Sequence, residues 1–222
     1  AFPFVTSKIL VFEALTFVAF AFWLYLWYTY PERFAPRLNF LAIALGGYIV
    51  TSVIAALQGI NFWASFWSNF ERMDGIFTWI ALFLFFIVFG GVAKQEKDWI
   101  WLFRVSLLVS VIAGLQSVRF FGLFEEEFML PTRMPGIFGN PIYVGVYAMF
   151  HIFIGLFLFA LSRKHQAITS DPWALFYGIG LLVNLFILSL TLSRGPLIGL
   201  LLGVAVFWIW YALWGQNRRL LF

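Results

Sequence analysis

Long apolar segments with almost no charge set narrow limits on how this chain can fold. They divide its 222 residues into about seven blocks, each long enough to supply the ~20 residues that cross a ~30 Å hydrocarbon core. Charged residues make up 11% of the chain, against about 25% in a soluble domain. The blocks do not alternate with the period of two of a membrane β-strand. The sequence therefore predicts an all-α, polytopic transmembrane helical bundle.

We expect a single transmembrane domain over residues 1–222, with about seven helices at residues 8–29, 38–57, 75–92, 99–118, 141–160, 173–192 and 196–214. Basic residues are unevenly divided between the connections. Nine Lys and Arg residues fall in or beside one set, at 31–37, 93–98, 162–172 and the tail after 216. Five fall in the alternate set, at 1–8, 58–74, 119–140 and 193–195. By the positive-inside rule, this asymmetry predicts a cytoplasmic C-terminus and an N-terminus outside.

Two connections on the predicted outer side are unusual. Residues 58–74 are aromatic and weakly amphipathic, which favours a position in the membrane interface over a crossing. Residues 119–140 form the longest connection and include the acidic run Glu125, Glu126 and Glu127. Such a run could supply a general base or metal ligands, but a solvated loop is the commoner structure.

Four arginines, Arg72, Arg119, Arg133 and Arg194, fall on the predicted outer side. Planar guanidinium groups match phosphate oxygens, so arginines that converge at one membrane face would bind a phosphate or pyrophosphate head group. The alternative is that each extends to the phosphates of ordinary lipids. Arg194 favours binding, because it lies in the short turn between two uncharged blocks, where a charge near hydrocarbon is costly.

The segment RMPGIFGNP, residues 133–141, combines an arginine with the signals of a helix start. Pro141 suits the first turn of a helix, and Asn140 is a good N-cap. A helix N-terminus presents free N–H groups and a partial positive charge, which attract anions. The segment is therefore equally consistent with substrate binding by Arg133 and Asn140 and with a well-capped helix start.

The remaining polar residues give weaker evidence about function. The chain has no cysteine and only two histidines, which excludes a cysteine-based metal site and argues against a histidine-rich one. His151 falls within an apolar block, where a hydrogen-bonded structural role is favoured over catalysis. Glu13, near the predicted outer end of the first helix, could pair with an outer arginine.

Four segments stand in order along the chain: FPFVTSK (2–8), FWSNFERMDGIFTW (66–79), RMPGIFGNPIYVGVYAMFHIF (133–153) and SLTLSRGPLIG (189–199). Together they resemble the O-antigen ligase and O-antigen polymerase family of bacterial inner membranes. The resemblance covers essentially the whole chain. Its most specific elements are the Arg, Gly, Phe, Gly, Asn and Pro residues spaced along RMPGIFGNP (133–141) and the Ser–Arg–Gly turn (193–195).

The resemblance implies an enzyme that transfers a glycan from an undecaprenyl-pyrophosphate carrier at the outer face of the bacterial plasma membrane. The acceptor would be lipid A core, another glycan or a protein, and no metal, cofactor or nucleic acid is expected. Arg133 and Arg194 match motif arginines and would bind the donor, while Arg72 and Arg119 correspond more weakly. Family members are larger, so the chain would be an N-terminal-half fragment, inactive alone, whose general base belongs to a missing loop.

Two other classes of protein would explain some of these features. A transporter or flippase for a lipid-linked or anionic substrate would also place arginines at a cavity, although the paired broken helices typical of such proteins are not found in the sequence. A purely structural membrane subunit is a third class, which leaves Arg194 unexplained. The sequence decides neither the acceptor nor the sugar.

Overall fold

The computed structural model describes residues 5–36, 38–69, 73–120, 133–163 and 172–214. Every regular element within these ranges is a helix, which confirms the predicted all-α class. The α-helices, in chain order from α1 to α9, are Thr6–Thr29, Pro31–Phe34, Phe40–Gln58, Phe62–Trp67, Ile76–Val92, Glu96–Phe120, Pro141–Arg163, Pro172–Leu190 and Arg194–Trp214. A single 3₁₀ turn, Gly136–Phe138, precedes α7.

Five helices in the described part of the chain are long and apolar enough to cross a membrane, namely α1, α3, α6, α7 and α8. The helix α5 and the stretch Arg194–Trp210 of α9 are apolar but shorter. These are the helices expected of a membrane protein. The count of seven spans and the outward N-terminus stay predictions. Within the connection 58–74, α4 has six residues, or about 9 Å, and is too short to cross the core.

Asparagine side chains fix the start of three helices. The Oδ1 atom of Asn39 accepts from the backbone N–H of Ala42 at 2.8 Å and caps α3. Asn61 caps α4 in the same way, and Asn140 caps α7. Each cap satisfies one of the N–H groups that the first turn of a helix leaves without an intrahelical partner. The helix starts are therefore set by local chemistry.

The first compact unit, Ala1–Asp98, is organised around α5, against which both α1 and α3 pack. Gly91 of α5 allows α1 to come close, because a Cβ atom at this position would lie 2.5 Å from Trp23 Nε1. The indole N–H of Trp23 donates to the carbonyl oxygen of Phe34 at 3.1 Å. The same tryptophan therefore joins α1 to both α5 and the end of α2.

In the second compact unit, Trp99–Phe222, α7 packs against both α8 and α9. A buried cluster joins apolar residues of α6, α7, α8 and the segment before α7: Val118, Met134, Val144, Ala148, Ile152, Ile187 and Leu188. Asn184 on α8 donates to Ser110 Oγ on α6 at 2.9 Å, and both side chains are buried. Interhelical hydrogen bonds of this kind contribute about 0.6 kcal/mol on average within a membrane.

Glycines bring α7 and α9 into close contact. A Cβ atom at Gly145 of α7 would lie 2.9 Å from Pro196 Cγ, at the start of α9. Further along, a Cβ atom at Gly203 of α9 would lie 2.5 Å from the ring of Phe153 on α7. These contacts advance in the same direction along both helices. The helices α7 and α9 therefore run parallel, and both begin at the same end of the second unit.

Candidate functional site

A cavity lies at the end of the second unit where α7 and α9 begin. Its volume is about 460 Å³, and it is lined by Arg133, Ile142, Leu192, Ser193, Arg194, Gly195 and Pro196. Arg133 and Arg194, the two arginines to which the sequence gives most weight, thus line one cavity. Both residues are exposed, so their guanidinium groups are accessible to a ligand.

Arg133 is tethered to the turn between α8 and α9. Its Nη2 donates to Ser193 Oγ at 2.9 Å, and its Nε donates to the carbonyl oxygen of Thr191 at 3.4 Å. The next backbone N–H, that of Met134, donates to the carbonyl oxygen of Leu190 at 3.2 Å. A guanidinium has five N–H donors. Within the described ranges two of them are used, which leaves three for a ligand.

Three residues, Thr191, Leu192 and Ser193, connect α8 to α9 in a tight turn. Thr191 Oγ1 donates to the carbonyl oxygen of Leu188 at 2.7 Å and accepts from the Ser193 N–H at 3.3 Å. Leu192 has φ +47°, in the left-handed region that costs an L-residue about 1–2 kcal/mol. Its side chain is 56% exposed, so burial does not offset this strain. Strained residues of this kind cluster at ligand-binding sites.

The lining of the cavity combines positive charge with apolar surface. Arg194 is the first residue of α9, and Gly195 and Pro196 belong to the first turn of the same helix. The N-terminus of a helix carries a partial positive charge. Two guanidinium groups beside it form a site suited to phosphate or pyrophosphate. Ile142 and Leu192 add apolar surface, so the lining suits an amphiphilic anion.

The segment 133–141 is a capped helix start. Asn140 Oδ1 accepts from the backbone N–H of Ile142 at 2.9 Å, and Pro141 is the first residue of α7. The capping interpretation is therefore confirmed. Asn140 is not among the residues that line the cavity, and its role in substrate binding stays a prediction.

Contacts with α6 hold the same segment in place. The backbone N–H of Ile137 donates to Ser117 Oγ at 3.2 Å. Gly136 has φ +52°, and a Cβ atom there would lie 2.6 Å from the same hydroxyl oxygen. Only glycine fits this position without strain. The backbone between Arg133 and α7 is therefore fixed by close packing as well as by hydrogen bonds.

The other charged residues of interest are not brought to this cavity by the described structure. Arg119 is exposed in the last turn of α6 and does not line the cavity. Arg72, Glu125, Glu126 and Glu127 lie outside the described residues. In the first unit Glu13 is buried and its Oε1 accepts from the Thr78 hydroxyl at 2.7 Å, a link between α1 and α5.

His151 is a hydrogen-bonded core residue, as the sequence predicts. Its Nδ1 donates to the carbonyl oxygen of Tyr147 at 2.8 Å, which leaves Nε2 to accept from the Ser106 hydroxyl at 2.9 Å. The ring is buried between α6 and α7. Among the described residues no group of three or more His, Asp or Glu side chains could hold a metal ion. Metal independence itself stays a prediction.

Sequence reasoning missed two residues that organise the cavity, Thr191 and Ser193. The partners of Arg133 are 58 and 60 residues away in the chain, a separation that no local pattern reveals. One signal was available for Ser193, which directly precedes the helix that begins at Arg194. Serine is a preferred residue at that position.

Comparisons with protein-family models, with curated proteins and with solved structures find no match for this chain. The function is therefore inferred from the chemistry of the cavity and from the sequence motifs.

Proposed function

We propose that this protein is a metal-independent glycosyltransferase that moves a glycan from an undecaprenyl-pyrophosphate carrier to a glycan, lipid or protein acceptor. The proposal places the reaction at the outer face of the bacterial plasma membrane. The proposed reaction is the one that O-antigen ligases and polymerases carry out. The observation that carries it is the shared cavity of Arg133 and Arg194.

The charge and polarity of the cavity support a lipid-linked pyrophosphate as the donor. A pyrophosphate needs several donors of positive charge, which the two guanidinium groups and the first turn of α9 supply. The apolar side chains of Ile142 and Leu192 suit the hydrocarbon next to that head group. A contact with ordinary lipid phosphate would need only one exposed arginine.

The same two arginines would stabilise the charge that develops in the proposed reaction. The acceptor hydroxyl attacks the anomeric carbon, a new glycosidic bond forms, and the bond to the pyrophosphate oxygen breaks. Negative charge grows on the leaving oxygen and phosphates, where preplaced arginines stabilise it. The acceptor proton passes to a general base.

The test is the affinity of purified full-length protein for undecaprenyl pyrophosphate. Hydrogen bonds to charged groups contribute about 1.5–3 kcal/mol each, so Arg133→Ala and Arg194→Ala should each weaken binding roughly tenfold to more than a hundredfold. Arg194→Lys should also weaken binding, although less, because lysine keeps the charge and loses the planar fork. Arg33→Ala removes an exposed arginine of α2, in the other compact unit, and serves as the matched control.

Two results would argue against the proposal. If Arg133→Ala and Arg194→Ala both bind the donor as the wild type does, the pyrophosphate site lies elsewhere. If the purified protein in vesicles moves the intact donor across the membrane and transfers no glycan, the protein is a transporter or flippase. Variants are compared only where their melting temperatures show that they are folded.

A further inference from the structure

The Arg133 side chain donates a hydrogen bond to a buried hydroxyl, that of Ser193. Arg133 itself is exposed, but the residues that hold it are not, since Thr191 is 0% exposed and Ser193 is 5% exposed. The 2.9 Å bond from Arg133 Nη2 to Ser193 Oγ is the shorter of its two bonds to the turn. The long side chain of Arg133 is therefore hydrogen-bonded to a buried part of the turn.

The hydroxyl of Ser193 is itself oriented. Ser193 Oγ donates its hydrogen to the carbonyl oxygen of Thr191 at 3.2 Å, so the lone pairs of Ser193 Oγ are left for Arg133. Thr191 is fixed in turn by its bond to Leu188 at the end of α8. A connected set of hydrogen bonds thus runs from α8 through Thr191 and Ser193 to the guanidinium of Arg133.

We propose that Ser193 is a positioning residue, which holds the Arg133 guanidinium at the cavity and acts on the ligand only through Arg133. The inference rests on the proposed pyrophosphate site. Its physical basis is preorganisation, because a side chain that is already held in its bound position loses less conformational freedom when the ligand arrives. Without the hydroxyl, only the longer bond from Arg133 Nε to the Thr191 carbonyl oxygen would remain, and the ligand would have to order more of the side chain.

A double-mutant cycle with undecaprenyl pyrophosphate as the probe separates this role from others. Ser193→Ala should weaken binding roughly two- to tenfold, the cost of ordering one long side chain. The same loss should appear in the Arg194→Ala background. It should disappear in the Arg133→Ala background, because the group that Ser193 holds is gone. Ser193→Thr keeps the hydroxyl and should restore most of the affinity.

The matched control is Ser189→Ala, which removes an exposed serine whose hydroxyl donates to the carbonyl oxygen of Phe186 within α8. It should leave the affinity unchanged. A loss for Ser193→Ala that persists in the Arg133→Ala background would overturn the proposal, because Ser193 would then act on the ligand or on the fold. A normal affinity of Ser193→Ala beside a weakened Arg133→Ala would overturn it while the proposed function stands. Normal binding by both Arg133→Ala and Arg194→Ala would remove the proposed function, and this inference with it.

Discussion

The contact between Gly145 and Pro196 offers a way to disturb the cavity without removing any charge. In Gly145→Ala the new Cβ atom would lie 2.9 Å from Pro196 Cγ and 3.2 Å from Thr191 Oγ1. The ring of Pro196 is rigid, so relief requires the start of α9 to move. An ordinary contact begins at 3.4 Å, so the shift is about 0.5 Å. Arg194 lies two residues from Pro196 and would move with it.

The expected change in the free energy of unfolding of Gly145→Ala is the balance of two effects. Alanine is more favourable than glycine inside a helix by about 1 kcal/mol. Overpacking a close contact costs about 1–3 kcal/mol. Gly145→Ala should therefore lose up to about 2 kcal/mol of stability. The control is Gly178→Ala in α8, where a Cβ atom would meet nothing within 4 Å, and which should be neutral or slightly stabilising.

The assay measures melting temperature and affinity for undecaprenyl pyrophosphate on both purified variants. Gly145→Ala should melt below Gly178→Ala and should bind the donor more weakly, because its arginines are displaced. Equal melting temperatures and equal donor affinities of the two variants would contradict this prediction. In that case the close packing of α7 on α9 does not set the position of Arg194.

Four further outcomes are expected. Leu192→Gly should raise stability by about 1 kcal/mol, because glycine adopts φ +47° without strain. An unchanged melting temperature would show that the backbone of Leu192 is not strained. Asn140→Ala should lower stability by about 1 kcal/mol through loss of the cap on α7, and a stable Asn140→Ala would show that the cap contributes little. Cysteines at Glu126 and Gln166 should react oppositely with an impermeant reagent on intact cells, with Glu126→Cys accessible; labelling of Gln166→Cys alone would invert the predicted topology. Glycan transfer by the full-length protein should continue in chelator, and restoration by Mg²⁺ of activity lost to chelator would favour Glu125, Glu126 and Glu127 as ligands instead.

The helices could be predicted from the sequence because their causes are local. A run of about twenty apolar residues forms a helix within the membrane, since each backbone N–H and C=O must find a partner inside the segment. Caps depend on two or three neighbouring residues, which is why Asn140 can be predicted to cap α7. The structural role of His151 as a hydrogen-bonded core residue could be predicted because it lies within an apolar block.

The candidate site could be predicted only in part. Arg194 could be predicted because a charged residue stands out between two apolar blocks, and Arg133 because of the motif RMPGIFGNP that it begins. Their meeting in one cavity could not be derived, because the positive-inside rule assigns residues to a face and gives no distance between them. For Ser193 the local sequence indicates only a residue suited to the start of a helix, and its contact with Arg133 joins residues 60 apart.

By itself, then, the sequence determined the helical class and the residues that carry unusual charge. Tertiary structure decided which of those charges share a cavity and what holds them there. The reason is that backbone hydrogen bonds of a helix join residues four apart, whereas Arg133 and Ser193 are 60 residues apart. They meet because α7 and α9 run parallel and because Gly145 leaves room for Pro196, a fit between surfaces that is set by side-chain shape.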